Sequence, residues 1–450
     1  MPAAALAKFR ERRCMLSRLR TLLLVCMLEV PAICAADSSV SSLGSVSQAP
    51  SSSSSQGSSE SRASSSSSKA GSSASDGKTS CYEAGNLVEE AVKLGGMGDK
   101  EEAQYRKAAE LCPSMAEAFY NLGVLLSKKG DYPAAVANIE AAIKAREDPA
   151  FHVALGNVYA SMGKYDEAQR EFNRVLQENS KSVPALQGMA LTNGKRGEDV
   201  KALEFLERAK AVDDSNSLTW FNLGVIYDRG GQLEAAVQSF EKAAVFSPKD
   251  ASVQLYLGRA LRRLGETSRS QRAFERAAEL NPDEPAVQVA LGAVYDSQGD
   301  PERAERALRR AVESDPKNST AWVNLALVQL DAGRAEDAAR SARSALERPG
   351  GTDASVAASS SDQTCRATAV LGWALLELGR TNEADEAISR CIELTENSLS
   401  STVSAQAYWT LAALRERQGK ADEAREHRAT ARKMNPQIET TSGSGWRVWR

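Results

Sequence analysis

The apolar residues beyond position 80 keep a helical beat. Trp220, Leu223, Gly224 and Tyr227 fall at i, i+3, i+4 and i+7, one stripe of a helix. Asp228-Arg229-Gly230-Gly231 breaks that run, and Ala236, Phe240 and Ala243 then mark the stripe of a second helix. The block recurs: Leu122-Gly123, Leu155-Gly156, Leu223-Gly224, Leu257-Gly258, Leu291-Gly292 and Leu371-Gly372 stand mostly 34 residues, or a multiple, apart. At a fixed offset come Ala135, Ala168, Ala202, Ala236, Ala304 and Ala338, and then Ile139, Phe172, Leu206, Phe240, Phe274 and Leu308. Pro248, Pro282 and Pro316 stop the second helix of their units. The pattern predicts antiparallel helix pairs that approach closely where Gly224 and Ala236 are small, with Phe240 filling the gap to the next unit. Each pair is apolar on two sides and buries both only by stacking, so the array is a solenoid.

A 34-residue period with this order of small, large and helix-stopping residues resembles the tetratricopeptide repeat. The resemblance spans residues 81–436 in ten units, starting near Tyr82, Ala116, Pro149, Val183, Ser217, Ala251, Pro285, Ser319, Cys365 and Ala405. It implies an all-α fold, a right-handed superhelical solenoid of antiparallel helix pairs. The first unit lacks Leu-Gly and has Glu101 at the alanine position, as a terminal cap would, and the fourth has Met189-Ala190 instead of Leu-Gly. Insertions at 350–363 and 395–404 are expected as loops, either tolerated surface segments or hinges.

The chain ahead of the repeats has a different character. Arg10, Arg12, Arg13, Arg18 and Arg20 precede the apolar run 22–28, and Pro31 and the small stretch Cys34-Ala35-Ala36 follow it. Basic, apolar, then small is the layout of a secretory signal peptide, expected at 1–36, with Met15 an alternative start. The run is too short to cross a bilayer, so no transmembrane helix is expected in the mature chain. Ile33 before Cys34 departs from the small residue that a lipid-attachment signal wants. Residues 37–80 are serine-rich and too poor in apolar side chains to offset ordering entropy, which predicts a disordered linker, either a tether or a plain spacer. The chain is therefore expected to be exported, to the periplasm or envelope of a bacterium or into a secretory pathway.

Composition narrows the function classes. At about 150 residues per domain, 450 residues suggest three globular domains. The repeat replaces that expectation with one elongated array. The 56 basic and 59 acidic side chains leave a net charge of -3, so no global attraction to nucleic acid is expected. Only two histidines occur, which argues against a histidine metal cluster. His152 lies on a first-helix stripe and is expected as a packed core residue, whereas His427 sits among Arg425, Glu426 and Arg428 on a solvated face. Residues 188–195 superficially resemble a phosphate-binding loop, but Gly188 and Gly194 are one residue too far apart. Neither an enzyme nor a cofactor is expected.

Four cysteines follow the signal region. Cys81 precedes the first helix of unit one and Cys112 ends its second, and an antiparallel hairpin brings those ends within disulfide reach, so a Cys81–Cys112 bond is expected. Cys365 and Cys391 bracket unit nine similarly, although Cys391 also fits a small buried packing position.

The resemblance further implies that first helices line a ligand groove through their second, fifth, sixth and ninth positions. Carried over, these include Tyr120, Phe221, Val323 and Trp409 at the fifth, Asn121, Asn222 and Asn324 at the sixth, and Arg259 and Trp373 at the ninth. No unit has the Lys and Asn pairing by which chaperone-binding members hold a peptide C-terminus. Arg259, Arg262 and Arg263 form one basic patch flanked by Asp228 and Asp296. Trp446 and Trp449 alternate with arginines in the tail 437–450, expected either as a flexible segment or as a docking one. The expectation is a non-catalytic scaffold that binds an extended peptide or helix of another protein, in cell-envelope assembly. The alternative is a targeting subunit that recruits its bound partner to a separate enzyme.

Overall fold

A computed structural model describes residues 72–94, 98–347, 356–396, 401–436 and 438. The expected signal peptide at 1–36, the linker up to 71, the first part of the 350–363 insertion and the Trp446 and Trp449 tail lie outside the described residues.

Among the described residues there are twenty helices and no strand. In chain order they pair as α1 (Ser72–Leu94) with α2 (Asp99–Leu111), α3 (Ala116–Lys128) with α4 (Tyr132–Ala145), and α5 (Pro149–Ser161) with α6 (Tyr165–Glu178). Then come α7 (Val183–Lys195) with α8 (Asp199–Val212), α9 (Ser217–Arg229), α10 (Leu233–Phe246), and α11 (Ala251–Arg263) with α12 (Thr267–Leu280). The remaining pairs are α13 (Pro285–Ser297) with α14 (Pro301–Ser314), α15 (Ser319–Asp331) with α16 (Ala335–Glu347), α17 (Val356–Glu377) with α18 (Thr381–Glu396), and α19 (Ser401–Arg417) with α20 (Ala421–Met434). The helices form two compact units whose sequence boundary falls between Gly230 and Gly231, in the turn from α9 to α10. Within each unit the helices of a pair pack together, and the second packs on the first helix of the next pair.

Local chemistry starts and stops these helices. Asp148, Asn216, Asp250 and Asn318 cap first helices by accepting hydrogen bonds from backbone N–H groups at Ala150, Thr219, Ser252 and Ala321. Pro149 and Pro285 stand where a missing N–H costs nothing. The turn inside the α5/α6 pair needs Gly163, whose φ of 74° is left-handed.

The pair interfaces show why the period is strict. A Cβ on Gly258 would lie 2.6 Å from the Phe274 ring, and one on Gly292 2.6 Å from Leu308. Phe172 is pinched between two consecutive repeats, because a Cβ on either Gly156 or Gly188 would meet its ring. The large residues of the second-helix register, Ile139, Phe172, Leu206, Phe240, Phe274 and Leu308, are all fully or almost fully buried. In the α15/α16 pair, Ala326 replaces the glycine and Ala342 the large residue, and both are fully buried. Volume has moved from one helix to the other with the total kept small. In unit six the small position is Ser270, also fully buried, whose hydroxyl donates to the Gly258 carbonyl at 2.7 Å.

Ion pairs join consecutive repeats within each unit. Arg196 beside the end of α7 reaches Asp166 at the start of α6 (2.6 Å), and Arg415 in the last turn of α19 reaches Asp385 in α18 (2.7 Å). Lys129–Glu102, Arg229–Asp199 and Arg334–Glu305 do the same. A basic group at a helix C-terminus and an acid at an N-terminus also suit both helix dipoles.

Three boundaries differ from the composition-based expectation. Residues 395–396 end α18 and 401–404 begin α19, so most of the 395–404 insertion is helical. Helix α1 begins at Ser72, inside the serine-rich stretch, and Ser80 donates a hydrogen bond to the Leu111 carbonyl. Helix α17 begins at Val356, so residues 356–363 of the insertion are helical. In α1 and α17 an apolar stripe downstream nucleates the helix, and extending it through Ser and Ala adds little cost.

Candidate functional site

The expected groove residues separate into two classes. Phe221, Val323 and Trp373 are 5%, 1% and 3% exposed. They are interior residues, so the apolar and aromatic lining expected of the groove is reduced at these positions. Trp373 shows the physical reason: its Nε1 donates to Thr410 Oγ1 at 3.3 Å, so α19 lies over it, and the Arg417 guanidinium stands 5.9 Å from its ring. Trp409 remains partly exposed, but Arg428 from α20 covers its ring at 5.8 Å while pairing with Glu416. Tyr120 is also partly exposed, its ring 4.9 Å from Phe151. Burial, and then the Asp148 carboxylate, pushes the Tyr120 hydroxyl above its ordinary pKa.

The polar class stays open. Asn121 on α3, Asn222 on α9 and Asn324 on α15 occupy the same register of their helices, and each is partly exposed. None of the three side-chain amides bonds another described residue. Each therefore presents both a donor and an acceptor. Gln187 behaves differently. It is 8% exposed and donates to Thr219 Oγ1 at 2.8 Å and Asn216 Oδ1 at 2.9 Å, a buried polar link between α7 and α9 that periodicity does not reveal.

The three arginines of α11 occupy distinct settings. Arg259 lies over the Tyr256 ring at 5.3 Å, and Tyr256 packs against Phe240 with ring centroids 5.9 Å apart. Arg262, one turn on, is partly exposed and has no side-chain bonding partner among the described residues. Burial, and then the neighbouring positive charge of Arg259, lowers its pKa to about 10. Arg263 completes the last turn of the helix.

The histidines are more enclosed than their sequence context indicates. His152 is 4% exposed, with Nδ1 2.6 Å from Glu171 and Nε2 2.8 Å from Glu147. It is packed, but inside a carboxylate clasp rather than among apolar side chains alone. His427 is not on an open solvated face: its ring lies 6.0 Å from that of Tyr408. Burial, and then Arg415, lowers its pKa.

Both cysteine pairs are bonded, Cys81 to Cys112 and Cys365 to Cys391, with Cα separations of 4.8 Å and 4.4 Å. Residues 188–195 belong to helix α7, not to a loop. Among the described residues no group of three or more His, Cys, Asp or Glu is placed to hold a metal ion. No described helix is long and apolar enough to cross a membrane.

Comparison with known families finds the same repeat along much of the chain. Residues 88–150 and 120–184 match a tetratricopeptide-repeat family, as do 218–250 and 366–398. Residues 247–353 match the cytochrome c-type biogenesis protein H TPR domain. Among solved structures, a tetratricopeptide-repeat protein of Parabacteroides merdae is 18% identical over 58% of this chain and 98% of its own, at a TM-score of 0.41. PilW, described as a type IV pilus biogenesis factor, is 21% identical over 48% of this chain and 95% of its own, at a TM-score of 0.41. MamA is 24% identical over 38% and 92%, at a TM-score of 0.35.

Proposed function

Since the chain belongs to the tetratricopeptide-repeat family, we propose that it is a non-catalytic scaffold holding an extended segment of another protein along its first helices. The observation that carries this reading is the pair of open amides at Asn121 and Asn222 in one compact unit, with Asn324 presenting the same amide in the other. An extended peptide offers an N–H and a C=O at every residue, and an asparagine that bonds nothing else can satisfy both. The apolar neighbours in these helices are largely consumed by packing, so affinity comes from backbone recognition more than from aromatic anchors.

We further propose an assembly role in a cell envelope. The basic, apolar and small layout of residues 1–36 and the two disulfides support an oxidising destination. The match of residues 247–353 to a domain of a biogenesis protein supports an assembly role.

Photo-crosslinking tests the binding face. In the full chain, a benzophenone amino acid at Asn121 or Asn222, within one compact unit, should give the same partner adducts from an envelope fraction, and one at Asn324, in the other unit, should give partner adducts of its own. The same probe at Arg170, an exposed second-helix position on α6, should give none of them. Adducts at Arg170 equal to those at the asparagines would refute the assignment of the binding face.

A further inference from the structure

Arg262 is hard to account for by folding alone. A partly buried guanidinium usually takes a carboxylate or carbonyl partner, because withdrawing a charge from water without one is costly. Here the side chain has no such partner among the described residues, and the charge that acts on it is a second cation, Arg259. The dipole of α11 favours a basic residue in its last turn, but Arg263 meets that preference equally from the next position. Arg259 is held in place by the stack Phe240–Tyr256–Arg259. An ordered cation thus stands one helical turn from an unpaired one.

The surroundings limit what can approach. One repeat further, the positions equivalent to Arg259 and Arg262 are Ala293 and Asp296, and two repeats further they are Leu327 and Leu330. The basic character is confined to one helix and gives way to small, acidic and apolar side chains. A polyanion such as a nucleic acid needs a continuing basic track, whereas one acidic side chain on an extended polypeptide needs only a local pair.

We propose that Arg259 and Arg262 form a receptor for an Asp or Glu carboxylate of the extended protein segment that the first helices hold. This rests on the scaffold reading above and adds the chemistry of one contact. Arg259 is pre-oriented by Tyr256, and Arg262 gains on binding the partner that it lacks in the free chain. A charge-assisted bond of this kind contributes enough to change affinity about tenfold or more.

The test is selection of a displayed random dodecapeptide library on the immobilised full chain, its Arg259→Gln/Arg262→Gln variant and its Arg262→Lys variant. The expected result is enrichment of Asp or Glu at one position on the parent chain, an about tenfold lower recovery of those peptides on the double variant, and an intermediate recovery on Arg262→Lys. Enrichment of neutral or basic peptides, or equal recovery of acidic peptides on the double variant, would overturn the receptor and leave the scaffold standing. Recovery of no peptide by any chain would count against both. A mixed-sequence single-stranded oligonucleotide is run alongside; its binding to the parent and loss from the double variant would overturn the choice of a protein carboxylate. A thermal melt of Arg262→Met gives a readout independent of ligand. If the unpaired guanidinium is retained for binding, Tm rises by about 2–4 °C, and a fall of that size would assign Arg262 to the fold instead.

Discussion

Every repeat carries two faces, and they follow different rules. On the inner face of a pair, position and volume are tied together: Gly258 meets Phe274, Gly292 meets Leu308, and where Ala326 takes the glycine's place Ala342 takes the large residue's. On the more open face of the first helices the sixth position is Asn121, Asn222 or Asn324 in three repeats, and Tyr256 in another. The inner face is constrained by contact with a fixed neighbour in every repeat. The sixth position has no neighbour common to every repeat, so its residue differs from repeat to repeat. Tyr256 packs on Phe240, while the side chains of Asn121, Asn222 and Asn324 bond no other described residue. A periodic side chain therefore reports packing, and an aperiodic polar one is where a partner's chemistry can be written.

Substitution on the inner face should have the largest effect on stability. Phe274→Ala is expected to cost about 3–5 kcal/mol, measured by urea unfolding of the full chain. Gly258→Ala, which drives a Cβ to 2.6 Å from that ring, should cost about 1–3 kcal/mol. The informative measurement is the double variant. If the Ala326 and Ala342 pair reflects volume exchange, Gly258→Ala/Phe274→Ala must be less destabilised than the sum of the singles. Strict additivity would show that the two residues act separately.

The disulfides come next. Replacing Cys81 and Cys112 together by serine should destabilise by about 2–4 kcal/mol. Proteolysis should then cleave earliest in α1, whose partner helix it staples. Unchanged cleavage there would show that Ser80 and the apolar contacts hold the α1/α2 pair without the bond.

Ionic links between repeats should give a smaller, pH-dependent effect. Hydrogen bonds from Lys129 hold Glu102 below its ordinary pKa of 4.5, and those from Arg415 hold Asp385 below 3.8. A depressed folded-state value stabilises the fold above the unfolded pKa, and that contribution is lost as pH falls through the folded one. Urea midpoints should therefore carry the full contribution of these links and not change with pH on their account above about pH 5, and should fall as pH drops below about 4.5. Lys129→Met should flatten the acid limb, and an unchanged slope would remove Glu102 from the account. The open face completes the series. Replacing Asn121, Asn222 and Asn324 by alanine should leave stability within about 0.5 kcal/mol, since none of the amides bonds another described residue. A loss several times larger would move them to the structural face.

Much of the fold was legible because it repeats. Leu257-Gly258 and Phe274 recur with their equivalents at one spacing, and only packing enforces such recurrence. The Cys81 and Cys112 bond was legible from the same logic, since a hairpin returns the chain to its starting end. The candidate site was less so. Trp373 and Asn324 both occupy first-helix positions facing the expected groove, yet Trp373 is covered through Thr410, 37 residues away, while Asn324 stays open. His152 gave no sign of its clasp, because Glu147 and Glu171 reach it from a neighbouring turn and a different helix.

The sequence alone determined the helical hairpin, its period, the positions that must be small or large, and the cysteines that close a pair. These follow from local geometry and from contacts repeated at fixed separation. Tertiary structure decided which first-helix side chains are consumed by the next repeat and which remain for a partner. It also decided that Arg262 is partly desolvated with no described partner, while Arg259 is braced on Tyr256. Exposure and charge environment belong to the assembled neighbours of a residue, and no spacing rule along one chain encodes them.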